Sequence, residues 1–407
     1  MILDFSVENF LSFSSRQEIS FEASNDNTSE ESLVVKVRHP KSGSVTRVLR
    51  MSSVYGANAS GKSNLLLAIA NVWDRLYRPC SSKDEKIQFR PFAMRRNENT
   101  KMTVSFFIDS IKYDYTVEYN GDVIVYELLE FNPNGVSSQF YERKHNHETN
   151  LPEITFGRNA GLDSKTSTII TTNTLANHSV LSTYNKISVE APAFATVVNY
   201  IRNSIIAPHD STNIDELLKA TLLHDDRKDF LLQAVKEADF NITNIVNRPT
   251  ERGDSKIEFE HDYDKGRFSM PIETESEGTI SFVGKMDLLF GVIKSDRFLM
   301  IDELDDSLHH DLLVYFIQTF LSNDSKAQLL FTVHDQLILT EDFMRRDMAW
   351  FTEKDKSTAS TELYSADDFN LHKHASIFNA YKLGKLGARP KIGSPFLSIS
   401  TDSNEKV

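Results

Sequence analysis

Residues 56–63 read GANASGKS and satisfy the pattern G-x-x-x-x-G-K-[ST]. Each part has a chemical reason. Glycines let backbone N–H groups close around phosphate oxygens, and a helix N-terminus adds a favourable dipole. Lys62 is placed to reach the β- and γ-phosphates of a nucleoside triphosphate, and Ser63 to ligate Mg²⁺. Gly56, Ala57, Asn58, Ala59, Ser60 and Gly61, followed by Lys62, Ser63 and Asn64, are therefore the candidate ATP contacts. A second group is Asp302-Glu303, which closes the apolar run Phe298 to Ile301. Asp302 is suited to hold the Mg²⁺ shell, and Glu303 to orient or deprotonate an attacking water. The plainer alternative is two solvated carboxylates capping a strand. His334 follows the run 328–333 and is either a structural hydrogen-bonder or part of the same site. Glu275 to Thr279 read ESEGT ahead of a helical pattern. Ser276 is a natural helix cap, and a serine-glycine helix start, here with Gly278, is also an anion site.

Such groups need rigid elements to bring them together. VLRMSSVY predicts a strand entering the glycine loop, and NLLLAIANVWDRLY the helix leaving it. Phe298 to Ile301 and Gln328 to Val333 predict neighbouring strands, and ligands bind at the carboxyl ends of parallel strands. The first 150 residues look β-rich: Phe5 and Val7, then Ile19 and Phe21, alternate as half-buried strands do. In IKYDYTVEYNGDVIVYELLEF, Tyr113, Tyr115, Val117 and Tyr119 share one face and Asn120-Gly121 supplies the turn. Ile124, Tyr126 and Leu128 are expected to continue the pattern. The Ser-, Thr- and Asn-rich stretch 160–190 predicts a loop or lid. Ile214, Leu217, Leu218, Leu222, Phe230, Leu231 and Val235 then give helical spacing, with Ser211 or Thr212 as cap. They read as a packed helical subdomain or, alternatively, a partner-binding helix. KIEFEHDY and RFSM return to strands joined by Asp264-Lys265-Gly266, and MAWFTEK predicts one more before the polar tail SISTDSNEKV. A basic run, Lys382, Lys385, Arg389 and Lys391, interleaved with Gly384, Gly387 and Pro390, is a solvated loop or a docking surface.

The expected organisation has four segments. Residues 1–160 form a β-rich lobe with the loop and first helix, and 161–250 a lid and helical insertion. Residues 251–350 carry ESEGT, Asp302-Glu303 and His334, and 351–407 a C-terminal extension. Neither repeats nor sustained heptads occur, so no long coiled coil is expected. With 407 residues the chain is long enough for two or three structural units, and 40% hydrophobic with 25% charged residues is an ordinary globular balance. No run of 18 apolar residues exists to span a membrane, and the start MILDFSVENFLSF lacks the basic region of a secretory signal. The single cysteine, Cys80, rules out an internal disulfide and fits a reducing cytoplasm. A net charge of −13 argues against bulk nucleic-acid binding, although a local basic patch is compatible with it.

The order P-loop, serine-glycine element, Asp-Glu strand, histidine resembles that of the ABC/SMC superfamily. The 240 positions between Lys62 and Asp302 (302 − 62) suit an SMC-like head carrying an insertion. Within that superfamily the chain is similar to the OLD-like and RloA-like AAA ATPases of bacterial anti-phage, abortive-infection operons. The resemblance rests on ILDFSVENFLSF, YGANASGKSN, FRPFAM, the hairpin before FYERK, SEGT, LMIDELDDSLHH and YKLGKLGARPKIG. It implies an α/β fold: an ABC-ATPase-like head, with a β-rich lobe, a parallel α/β sheet and a helical insertion. It implies ATP and Mg²⁺ as cofactors, Lys62 and Glu303 as catalytic groups, and His334 as reader of the γ-phosphate. Ser276 and Gly278 would clamp the nucleotide of another subunit, so the partner is a second copy or a higher homo-oligomer. Three departures stand out. Glu277 replaces the first glycine of the transporter signature, His309 stands at the usual D-loop aspartate, and Gln88 is a weak substitute for the Q-loop glutamine. OLD members append a Toprim nuclease, and 73 residues follow His334 (407 − 334), too few for one. The expected effector is therefore a separate polypeptide, a Toprim or HNH nuclease. The rivals are an SMC- or RecF-like DNA-repair clamp and the energising subunit of a transporter.

Overall fold

The computed structural model describes residues 1–207, 214–238, 240–249, 255–372, 375–390 and 392–393. The expected cap at Ser211 or Thr212, Lys391 and the tail SISTDSNEKV lie outside these residues. Two large sheets and the helix that follows the glycine loop organise the rest. The first sheet is antiparallel throughout, in spatial order Leu151–Phe156, Ser138–Asn146, Ile124–Phe131, Ile111–Tyr119, Thr100–Ile108, Ile2–Glu8 and Gln17–Ser20. The second runs Ile205–Ile206, Phe298–Ile301, Gln328–Thr332, Met51–Gly56, Ala349–Lys354 and Thr361–Ser365, parallel except for the last strand. All residues of Phe298–Ile301, Gln328–Thr332 and Met51–Gly56 are buried, as strands of a parallel sheet covered on both faces must be. This is the α/β architecture expected from the sequence, with no long coiled coil among the described residues. Strand Ala349–Lys354 crosses the expected segment boundary at 350/351.

Helix Lys62–Tyr77 buries Leu65, Leu66, Ala68, Ile69, Val72, Trp73 and Leu76, an apolar stripe wide enough to meet both sheets. Tyr119 donates its hydroxyl to Asn71 at 2.7 Å, and the Trp73 ring meets Phe106 edge-on. The Gln328 side chain joins the two sheets: it accepts from the Ile2 N–H at 2.6 Å and donates to the Ile2 and Leu49 carbonyls. Among the described residues, no helix is long and apolar enough to cross a membrane.

Three local expectations are corrected. The stretch 160–190 is not a loop: it forms helices Ser164–Asn173 and Val180–Lys186, capped by Asp163 and Ser179. Its many hydroxyls misled, because in the helix they turn back on the chain. Thr168, Thr171, Thr172 and Thr174 each donate to the carbonyl four residues earlier. Helix Pro192–Ser204 and strand Ile242–Pro249 also went unrecognised. In the hairpin, Tyr113, Tyr115, Val117 and Tyr119 face inward as expected, but a bulge at Val125 changes the parity of the second strand. Ile124 is buried, then Glu127, Leu129 and Phe131, while Tyr126 and Leu128 turn outward. Glu127, a carboxylate in this strand, is fully buried. It accepts from Tyr115, from Tyr141 and from the Val180 N–H that opens a helix, and burial pushes its carboxyl pKa up.

Candidate nucleotide site

Strand Met51–Gly56 delivers the glycine loop, and helix Lys62–Tyr77 receives it. Gly61 heads that helix with φ +114°, and no side chain caps the first turn, so its N–H groups remain for a ligand. Both glycines are required by crowding. A Cβ on Gly56 would lie 2.5 Å from the Ser60 and Thr352 hydroxyls, and one on Gly61 2.5 Å from the Thr361 hydroxyl. Ala59 takes a left-handed φ of +61° inside the loop. Lys62 is 6% exposed and folds back over the loop, donating to the Gly56 carbonyl at 3.0 Å and the Ala57 carbonyl at 3.4 Å. Burial pulls its ammonium below the usual lysine range, against the opposing charges of Glu303, Asp302 and Asp305. Those three acids therefore lie within electrostatic reach of Lys62. Asn64 donates to the Ser12 hydroxyl at 2.8 Å.

Asp302 and Glu303 leave the carboxyl end of Phe298–Ile301, and His334 the end of Gln328–Thr332, the strand next to Met51–Gly56. Sheet order thus brings together groups that are hundreds of residues apart. The His334 Nε2 lies 3.5 Å from Glu303 Oε1, both side chains being partly open to solvent. The N–H groups of His334 and Asp335 donate to Asp305 Oδ2 at 2.9 and 2.8 Å. Glu303 holds φ +51°. Ser63, Asp302 and Glu303 line one cavity of about 760 Å³, together with apolar residues that include Leu66 and Leu217. A crowded glycine cradle with uncapped N–H groups fits a triphosphate. One hydroxyl and one carboxylate beside it fit Mg²⁺, which keeps several waters and takes few protein ligands.

Ser276 caps helix Glu277–Ser295, as its sequence suggests, accepting from the Thr279 N–H at 3.1 Å. A Cβ on Gly278 would meet the Ser307 carbonyl at 2.9 Å, so this helix end rests on the turn that follows Glu303. Ser281 and Lys285 fasten the same helix to the Asp306 carbonyl at 3.2 and 2.9 Å. Burial lowers the Lys285 pKa to about 8, against the pull of Asp306 and Asp305. Among the described residues, no hydrogen bond links Ser276 or Gly278 to residues 56–63. His309 caps helix His310–Leu321 through its ring, accepting from the Asp311 N–H. Gln88 is exposed, and its carbonyl accepts from Arg75, in the last turn of the helix that the glycine loop opens. A Q-loop role for Gln88 gains nothing from this placement. Lys382, Lys385 and Arg389 are exposed, with Arg389 donating to the Lys382 carbonyl.

Several supporting residues escaped the sequence reading. Thr352 Oγ1 lies 2.6 Å from Ser60 Oγ, and Thr361 donates to the Ser60 carbonyl at 2.7 Å and contacts Ser12. Thr332 reaches both Asp302 and the Glu303 N–H. The only signal for them was a hydroxyl at or near the end of an apolar strand, too common to single out.

Comparison with known proteins gives matches of different kinds. Two solved structures align over most of their length at low identity. The SMC head domain from Thermotoga maritima has a TM-score of 0.42 and 13% identity, over 89% of this chain and 98% of that one. The SmcHead bound to the C-winged helix domain of ScpA has a TM-score of 0.41 and 14% identity, over 93% and 99%. No curated protein matches the chain. The model of one family, described as "AAA domain, putative AbiEii toxin, Type IV TA system", matches residues 51–340, from the strand that enters the glycine loop to just beyond His334. That stretch is well over half of the sequence, and the chain belongs to this AAA-domain family.

Proposed function

We propose that the protein binds and hydrolyses ATP with Mg²⁺ as the sensor or scaffold subunit of a bacterial anti-phage defence system. It acts as an ATP-sandwich dimer or higher homo-oligomer that controls a separate effector, most simply a nuclease. The family description, a putative toxin of a type IV system, suits such a role. Loop N–H groups and Lys62 hold the phosphates, and Ser63 and Asp302 hold the metal. Bound Mg²⁺ neutralises charge on the phosphate oxygens. Glu303 accepts a proton from the attacking water, and His334, 3.5 Å away, steadies that carboxylate and reads the γ-phosphate.

One observation carries the reading. Lys62, Ser63, Asp302, Glu303 and His334 sit at one end of the central sheet, and Gly278, just inside the helix that Ser276 caps, rests on the turn beyond Glu303. Among the described residues no hydrogen bond ties Ser276 or Gly278 to residues 56–63, and a helix N-terminus not engaged by its own loop suits a phosphate presented by a second copy. The test mixes two inactive variants, Lys62→Ala and Ser276→Arg. One mixed arrangement pairs an intact loop with an intact Ser276, so hydrolysis should partly return, and activity per chain should rise with concentration. Activity per chain that stays flat down to concentrations where only monomer is present would overturn the sandwich.

A further inference from the structure

Thr332 is the last residue of strand Gln328–Thr332 and is fully buried. Its neighbour across the sheet is Val54, two residues before Gly56. Its hydroxyl makes two contacts. It donates to Asp302 Oδ1 at 2.5 Å and accepts from the Glu303 N–H at 2.7 Å. The Thr332 carbonyl also accepts from the Leu304 N–H at 2.9 Å. One residue thus grips three consecutive positions, 302 to 304, across the strand gap.

The grip has a purpose in the backbone. Glu303 holds φ +51°, a left-handed conformation that a non-glycine residue keeps only where its surroundings enforce it. The hydroxyl and carbonyl of Thr332 take the N–H groups on either side of that turn, and the Glu303 carbonyl accepts from the Asp306 N–H at 2.8 Å. The turn aims the Glu303 side chain toward His334 instead of continuing the strand. The other contact occupies Asp302 Oδ1 and leaves Oδ2 as the oxygen for a metal.

We infer that Thr332 is the positioning residue of this site, fixing Asp302 for the metal and Glu303 for the water through a single hydroxyl. The inference rests on the proposed ATP hydrolysis. Valine matches threonine in shape but lacks the hydroxyl, so Thr332→Val leaves Asp302 Oδ1 and the Glu303 N–H without their partner. A hydrogen bond to a charged group is worth roughly 10- to 150-fold in an equilibrium.

The experiment uses the full chain and two readouts. ATP affinity is measured by calorimetry with Mg²⁺ and with EDTA, and phosphate release is measured under saturating ATP. Thr332→Val should lose about 10-fold or more of the Mg²⁺-dependent gain in affinity while keeping its affinity in EDTA. Turnover should fall by a similar factor or more. Thr332→Ser, which restores the hydroxyl, should recover most of both. Glu303→Gln should lose turnover alone and keep the Mg²⁺-dependent gain. The inference is overturned if Thr332→Val matches the parent in both readouts, or if Thr332→Ser is as impaired as Thr332→Val. Should the valine variant fail to fold, a folded Thr332→Ser that loses both readouts still overturns the inference. A parent protein without Mg²⁺-dependent ATP binding would instead defeat the underlying ATPase reading.

Discussion

Replacing Gly61 by alanine tests the nucleotide site at its most crowded point. Gly61 has φ +114° and ψ +8°, outside the regions open to residues with a Cβ, which costs roughly 1–3 kcal/mol. The added Cβ would sit 2.5 Å from Thr361 Oγ1 and 2.9 Å from Ser12 Oγ. Neither group is free to withdraw. The Thr361 hydroxyl holds the Ser60 carbonyl at 2.7 Å and the Ser12 hydroxyl at 2.8 Å. Giving up those two contacts adds roughly 0.5–1.5 kcal/mol each. The sum, roughly 2–6 kcal/mol, exceeds what a six-residue loop can absorb locally, so the loop must leave its phosphate-binding shape. If about 3 kcal/mol of it falls on the bound geometry, ATP affinity drops by roughly 150-fold. Calorimetry with ATP and Mg²⁺ measures this, and a thermal melt without ligand checks that the sheet remains folded. Gly61→Ala combined with Thr361→Gly removes the closest overlap but keeps the approach to Ser12 and the backbone cost, so part of the loss should return. Affinity of Gly61→Ala within twofold of the parent would refute the reasoning.

The other expectations address single groups. Lys62→Ala removes a charge-assisted contact and should weaken ATP binding by roughly 10- to 150-fold in the same titration. Glu303→Gln should bind ATP normally yet release phosphate about 10²–10⁴-fold more slowly, and unchanged release would remove Glu303 from the proton transfer. His310 donates to Asp335 at 2.6 Å and lies 3.5 Å from Glu341. Burial depresses its pKa, but these two carboxylates outweigh it and raise the folded value above the ordinary one. A histidine raised in the folded state contributes stability fully below its unfolded pKa of about 6.5 and loses it as pH rises through the folded value. The stability difference between parent and His310→Asn, from denaturant unfolding, should therefore be largest near about pH 5.5 and fade in the alkaline direction. A difference independent of pH would show that the ion pair is not the cause.

The chemistry was legible in the sequence where a motif is contiguous. Residues 56–63, Asp302-Glu303 and the Ser276 cap each sit in one short stretch, and the strand or helix around each is strongly patterned. What could not be read is what one strand does to its neighbour. Thr332 matters because Gln328–Thr332 lies between the strands that carry Gly56 and Asp302, a sheet order that no local pattern states. Thr352 and Thr361 matter for the same reason on the other side of the loop. Secondary structure failed where side chains satisfy the backbone in an unfamiliar way. Hydroxyls returning to carbonyls four residues earlier make the stretch 164–174 helical in spite of a loop-like composition. A single bulge at Val125 turned Tyr126 and Leu128 outward.

These cross-strand supports also bear on how much of the chain the site needs. The stretch shared with the AAA-domain family, 51–340, holds every group proposed to touch ATP. It omits Ala349–Lys354, the strand that pairs with Met51–Gly56 on its outer side. Without that strand the fully buried strand Met51–Gly56 would become a sheet edge, with open N–H and C=O groups next to the phosphate loop. It also omits Ser12, Thr352 and Thr361, the three hydroxyls that pack the loop on both sides, and Ile2, which Gln328 ties to the central sheet. The N-terminal turn at Ser12 and the C-terminal strand Thr361–Ser365 meet at Gly61, where the Thr361 N–H donates to the Ser12 carbonyl at 2.7 Å. The loop is therefore shaped by both ends of the chain.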